Sequence, residues 1–196
     1  MSAMSPAVPT PAAWTLPSRG RVGMYCLIAA EAAIFTIFVI AYIFYIGKSL
    51  SGPTPQQVLE VPIFYTVCLL SSSIVIHFAE KALHGGQLGS FKLLWFLTFA
   101  LGATFLVGTA LEWRHLIGEG LTISTNLFGT TYYSLVGLHA LHVTVGLIGF
   151  VIVLICALMS KVTQEHAERI GVFSLYWHFV DAVWVVVFTV VYIIGR

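Results

Sequence analysis

Five stretches of this sequence, at about residues 22–46, 61–80, 92–112, 128–159 and 171–195, are each long and apolar enough to cross a bilayer. Nothing else about the chain constrains its fold so tightly. A helix needs about 20 mostly apolar residues to traverse the hydrocarbon core. Inside lipid the backbone amides find no water, so each crossing must satisfy its own hydrogen bonds as a helix. The expected fold class is all-α, a polytopic membrane bundle of five transmembrane helices. With 59% hydrophobic and only 9% charged residues, the chain has too little polar surface to coat a soluble globule. A net charge of +1 argues against nucleic acid as a partner.

Residues 1–20 hold four prolines and no apolar run. They read as a flexible Pro-rich arm and not as a signal peptide, with Trp14 placed to sit at headgroup level. Residues 21–196 then form one bundle. The 81–91 connection, with its Gly85-Gly86 pair, and the 160–170 connection are short enough to join antiparallel neighbours. Arg19, Arg21, Lys81, Lys92, Lys161 and Arg169 fall on one side of the expected bundle, against Lys48, Arg114 and Arg196 on the other. Six basic residues against three predict the N-terminus inside and the C-terminus outside. Cys26, Cys68 and Cys156 stand apart in three apolar segments, a pattern of packing residues with neither a disulfide framework nor a metal motif.

A charge at bilayer depth costs about 2.5–3.5 kcal/mol on insertion scales, so polar residues within these stretches carry the functional information. Two carboxylates lie deep, Glu31 in the first stretch and Asp181 in the fifth. Counted along each helix at about 1.5 Å per residue, Glu31, His139, His142, His178 and Asp181 all fall near the midplane. His139 and His142 are spaced i,i+3 on the fourth helix, as are His178 and Asp181 on the fifth. Trp177 and Trp184, seven residues apart, share a stripe of that last helix. A carboxylate facing an imidazole lowers the cost of burying either, so Glu31 is expected to meet His142 or His139 across the bundle. His77, Glu80, Lys81 and His84 at one end, and Glu112, Arg114 and His115 at the other, read as solvated clusters. Tyr42, Tyr45, Tyr132, Tyr133 and Trp95 read as interfacial belt residues.

These residues leave three chemistries open. The belt could be a structural or lipid-binding network, a proton or ion pathway, or a b-type haem site with His142 and His178 as axial ligands. A carboxylate-bridged di-iron site needs Glu-x-x-His pairs that the deep segments lack.

Several strings carry a resemblance. Residues 128–143, FGTTYYSLVGLHALHV, resemble the GxHxxHV segment of subunit III of the haem–copper terminal oxidases. Residues 176–184, YWHFVDAVW, are similar to that family's last-helix YWHFVDxVW. Residues 29–35, AAEAAIF, look like the helix with its membrane-buried Glu, and Glu112-Trp113 falls where the family ends a helix. The likeness covers about residues 20–196.

The resemblance implies a noncatalytic subunit of a respiratory terminal oxidase of the aa3/caa3 cytochrome c type, in the bacterial inner membrane. It implies no haem or copper on this chain, those cofactors lying in partner subunits, and tightly bound phospholipid. The implied partners are subunit I directly, subunits II and IV, and a respiratory supercomplex beyond them. Its implied work is to stabilise subunit I and to support oxygen access and proton uptake. Glu31, His139, His142, Trp177, His178, Asp181 and Trp184 would then serve an inner network and its lipid and subunit contacts. The bo-type quinol oxidase subunit III and the nitric oxide reductase accessory proteins are alternatives within the family, and a haem-b electron carrier is the alternative outside it. Seven-helix members carry two helices ahead of the first one expected here.

Overall fold

The computed structural model describes residues 17–49 and 52–195, and among them there is no strand. Five helices are long and apolar enough to span a membrane. They are α1 (Arg19–Tyr45), α3 (Ile63–His84), α4 (Leu88–Gly118), α5 (Leu127–Leu158) and α6 (Ala167–Phe188), the last continued by a wider π-helical turn over Thr189–Ile194. A four-residue helix, α2 (Pro55–Val58), lies in the connection after α1, and a 3-10 turn over Gln164–His166 leads into α6. Most of the expected arm at 1–20, including Trp14, lies outside the described residues, as does Arg196. α1 itself begins at Arg19, where the Ser18 Oγ accepts from the Arg21 amide at 3.5 Å.

The helices run past the hydrophobic edges of the sequence. α3 continues to His84 and α4 starts at Leu88, so the turn between them is only Gly85-Gly86-Gln87. Backbone hydrogen bonding does not stop where apolar residues do, and the long stems of Lys81 and Lys92 carry their charges toward water from within a helix. Gly86 takes φ 72°, the left-handed conformation that lets the chain reverse in so few residues. α4 and α5 are 31 and 32 residues long, about 46–48 Å of helix, well over the ~30 Å hydrocarbon core.

α3 and α4 form a closely packed antiparallel hairpin, α4 packs on α5, and α6 packs against α1, α3 and α5. In lipid the helices gain little from apolar burial, so close fit must hold them together. Trp177 supplies the fit at the centre. A Cβ on Gly102 of α4 would stand 2.9 Å from its ring, and one on Gly146 of α5 would stand 2.6 Å from it. The tryptophan fills a slot that two glycines open. Gly108 of α4 in the same way receives the ring of Tyr65 from α3. Phe150 meets Trp177 edge-on at 4.8 Å, and the Trp95 indole N–H donates to the Phe150 carbonyl at 3.0 Å.

Three residues expected at the interfacial belt are core residues: Tyr42, Tyr132 and Trp95 are at most 2% exposed. An aromatic near a helix end faces the interface only if its side of the helix does. α1 is the least embedded crossing, with Phe35 and Tyr42 as its only buried residues.

Candidate functional site

The deep polar residues resolve into three arrangements at different helix contacts. The first joins α1 to α5. His142 Nδ1 lies 2.8 Å from the Leu138 carbonyl, which can only accept, so Nδ1 carries a proton. His142 Nε2 stands 3.1 Å from Glu31 Oε2. The pair shares one further proton, either as a glutamic acid donating to Nε2 or as an imidazolium donating to a carboxylate. Both forms are neutral in sum, which is what a midplane site requires. Tyr176 donates from its hydroxyl to the His142 carbonyl at 3.0 Å, tying α6 to the same turn of α5.

His139 is not part of this pair. Residues three apart on a helix diverge by about 60° around its axis, and that angle separates the two imidazoles. His142 turns to α1. His139 turns inward, fully buried, stacked on Trp184 at 4.9 Å and edge-on to Phe105 at 5.7 Å. Neither of its ring nitrogens has a hydrogen-bond partner. It packs as an aromatic ring.

The third arrangement joins α3 to α6. Ser73 Oγ donates to Asp181 Oδ2 and stands 3.0 Å from His178 Nδ1. One hydroxyl therefore links the two i,i+3 residues of α6. Asp181 is 3% exposed, and its other oxygen, Oδ1, has no partner. The two tryptophans of the stripe also read hydroxyls of α3: Trp177 Nε1 donates to Ser72 Oγ at 2.8 Å, and Trp184 Nε1 to Thr66 Oγ1 at 3.2 Å.

The sequence reading missed the α3 partners. The Ser71–Ser73 run was visible as a polar break in an apolar stretch, but only the packing of α6 shows which hydroxyl meets which group. Glu112 was also misread as solvated. Both of its oxygens accept from the Tyr192 hydroxyl, at 2.7 and 3.0 Å, and Tyr132 lies 3.4 Å further along. The signal was there in Tyr192, a hydroxyl at the same end of the last apolar stretch.

His142 and His178, the two candidate axial haem ligands, have different hydrogen-bond partners. His142 commits both nitrogens, to Leu138 and Glu31, while His178 turns to Ser73 on a different helix. Among the described residues, no group of three or more His, Cys, Asp or Glu is arranged to hold a metal.

The family model for cytochrome c oxidase subunit III matches residues 18–196. Among similar proteins, cytochrome c oxidase subunit 3 of Corynebacterium diphtheriae is 35% identical over 93% of this chain and 92% of its own length. Cytochrome c oxidase subunit 3 of Bacillus sp. (strain PS3) is 31% identical over 92% of this chain and 89% of its own. Cytochrome bo(3) ubiquinol oxidase subunit 3 of Pseudomonas aeruginosa is 32% identical over 88% and 84%.

Proposed function

The chain belongs to the cytochrome c oxidase subunit III family, and from that premise we propose that it serves an aa3/caa3-type cytochrome c oxidase of the bacterial inner membrane as its noncatalytic third subunit. The observation that carries this reading is a match that runs through all five crossings, including the segments that hold Glu31, His139, His142, His178 and Asp181. In this reading the chain packs directly on the catalytic subunit I, within an assembly that also holds subunits II and IV. Haem and copper reside in those partners. The commitment of both His142 nitrogens supports that division of labour.

α1 is the crossing offered to subunit I. Its outward face is apolar, with Ile37, Ile40 and Phe44 each at least 60% exposed. Between α1 and α6 runs an apolar groove of about 190 Å³ lined by Ala32, Phe35, Thr36, Val39, Val183 and Val186. Dioxygen is more soluble in hydrocarbon than in water, so such a groove supports a role in oxygen access. The same groove accommodates an acyl chain of a bound phospholipid. The excess of basic residues at one end supports an inner N-terminus.

A ubiquinol oxidase assignment is favoured by one observation, the similarity to the Pseudomonas aeruginosa protein at nearly the same identity. Affinity purification of the tagged chain from its own membranes decides between them. The expected result is copurification of subunits I and II and oxygen consumption driven by reduced cytochrome c. Oxygen consumption driven by quinol alone would assign the second type, and purification without a haem-bearing partner would overturn the oxidase reading.

A further inference from the structure

A pocket of about 170 Å³ opens at the basic end of the bundle, between α1, α3 and α6. It follows successive turns of α6, from Ala167 through Gly171 and Ser174 to His178, a descent of about 16 Å along the helix. Arg21 and Tyr25 of α1 and Glu80 and His84 of α3 line it. Glu80 leans over α6, its Oε1 within 3.7 Å of where a Cβ on Gly171 would be. A polar recess thus enters the apolar bundle and ends on a half-buried imidazole.

What lies behind that imidazole gives the recess its meaning. His178 Nδ1 contacts Ser73 Oγ, and Ser73 contacts Asp181 Oδ2. The far oxygen of Asp181 is sealed and has no partner. A buried carboxylate with one unpaired oxygen is costly as an anion and far less so as an acid. The unoccupied acceptor, the hydroxyl bridge and the polar entry are three separate features joined through His178 and Ser73.

We propose that Ser73, His178 and Asp181 form a buried proton-binding site, loaded from the basic end of the bundle through this pocket. A proton from the aqueous side binds His178 on its pocket edge, and the Nδ1 proton passes to Ser73 Oγ. The hydroxyl proton of Ser73 passes in turn to Asp181 Oδ2, leaving a neutral carboxylic acid, an intact serine and a histidine in its other tautomer. Exchange through the pocket resets the ring. The titratable groups beside the entry are Arg21 and Tyr25 from α1 and Glu80 and His84 from α3, with His77 three residues before Glu80 on α3. From α6, no titratable group besides His178 lines the recess. The site belongs to this chain alone, so its failure would leave the family assignment standing.

The test is infrared difference spectroscopy of the full chain in lipid nanodiscs during acidification and transfer to D2O. The wild type is expected to show a protonated-carboxyl C=O band that grows on acidification and shifts in D2O. The glutamates add their own bands, so the Asp181 component is read as the wild-type spectrum minus that of Asp181→Asn, and Glu31→Gln should leave that component unchanged. Ser73→Ala should retain the band but slow its exchange by on the order of 100-fold, and Ser73→Thr should restore the rate. His178→Phe gives an independent break in the same relay, with the same slowing. A carboxyl band identical in wild type and Asp181→Asn, or exchange of the Asp181 component equally fast with and without the Ser73 hydroxyl, would overturn the proposal.

Discussion

The two sides of α6 hold together by different means. Toward α3, α4 and α5, contact is dense: Trp95 and Trp177 are fully buried, Trp184 nearly so, each indole N–H finds an oxygen, and glycines make room for the Trp177 ring. Toward α1 the helices also pack closely, but few side chains of α1 are sealed. Phe35 and Tyr42 are the buried residues of that helix, and one polar pair, Glu31 with His142, crosses to α5. The other four crossings seal many of their own side chains, whereas α1 packs on α5 and α6 through one face, carries the Glu31–His142 pair there and leaves its opposite face open. A polar pair of this kind fixes the register of a helix without consuming its apolar surface.

Substitutions can break that contrast, and the largest effect is expected in the dense half. Gly146→Leu drives a side chain into Trp177, which a Cβ alone already approaches to 2.6 Å. It should cost about 3 kcal/mol in unfolding from mixed micelles, with α1 displaced only as a consequence. Ser73→Ala comes next. It removes the one hydroxyl that reaches both Asp181 and His178, and should cost about 2 kcal/mol in the same measurement. Asp181→Leu should be milder, because Ser73 can still donate to His178 across their 3.0 Å contact. Trp184→Phe keeps the ring stack on His139 but loses the bond to Thr66, an expected loss of about 1 kcal/mol. His139→Leu should be close to neutral or stabilising in that assay, since it removes two nitrogens that have no partner. A large loss there would mean that His139 has an undetected polar role.

The sequence made some of this legible and hid the rest for identifiable reasons. Five crossings followed from the length of the apolar stretches, and a depth count placed Glu31 level with His142. The i,i+3 spacing of the two histidines suggested a shared face, yet about 60° of divergence is enough to send one ring to α1 and the other into the core. Ser73, Ser72 and Thr66 escaped notice because serine and threonine are common in membrane helices, where a hydroxyl can bond its own helix backbone, as Ser71 does to the Cys68 carbonyl. Only the rotation of α6 against α3 singles them out. Tyr42, Tyr132 and Glu112 were misplaced because depth along a helix says nothing of the direction a side chain takes around it.

The central claim is that the midplane carboxylate of α1 is matched to His142 and not to its neighbour His139. A pair of double-mutant cycles on unfolding free energy tests it directly, Glu31→Leu with His142→Leu and Glu31→Leu with His139→Leu. A coupling of about 0.6–1.7 kcal/mol is expected in the first cycle and none in the second. No coupling between Glu31 and His142, or an equal coupling to both histidines, would contradict the account.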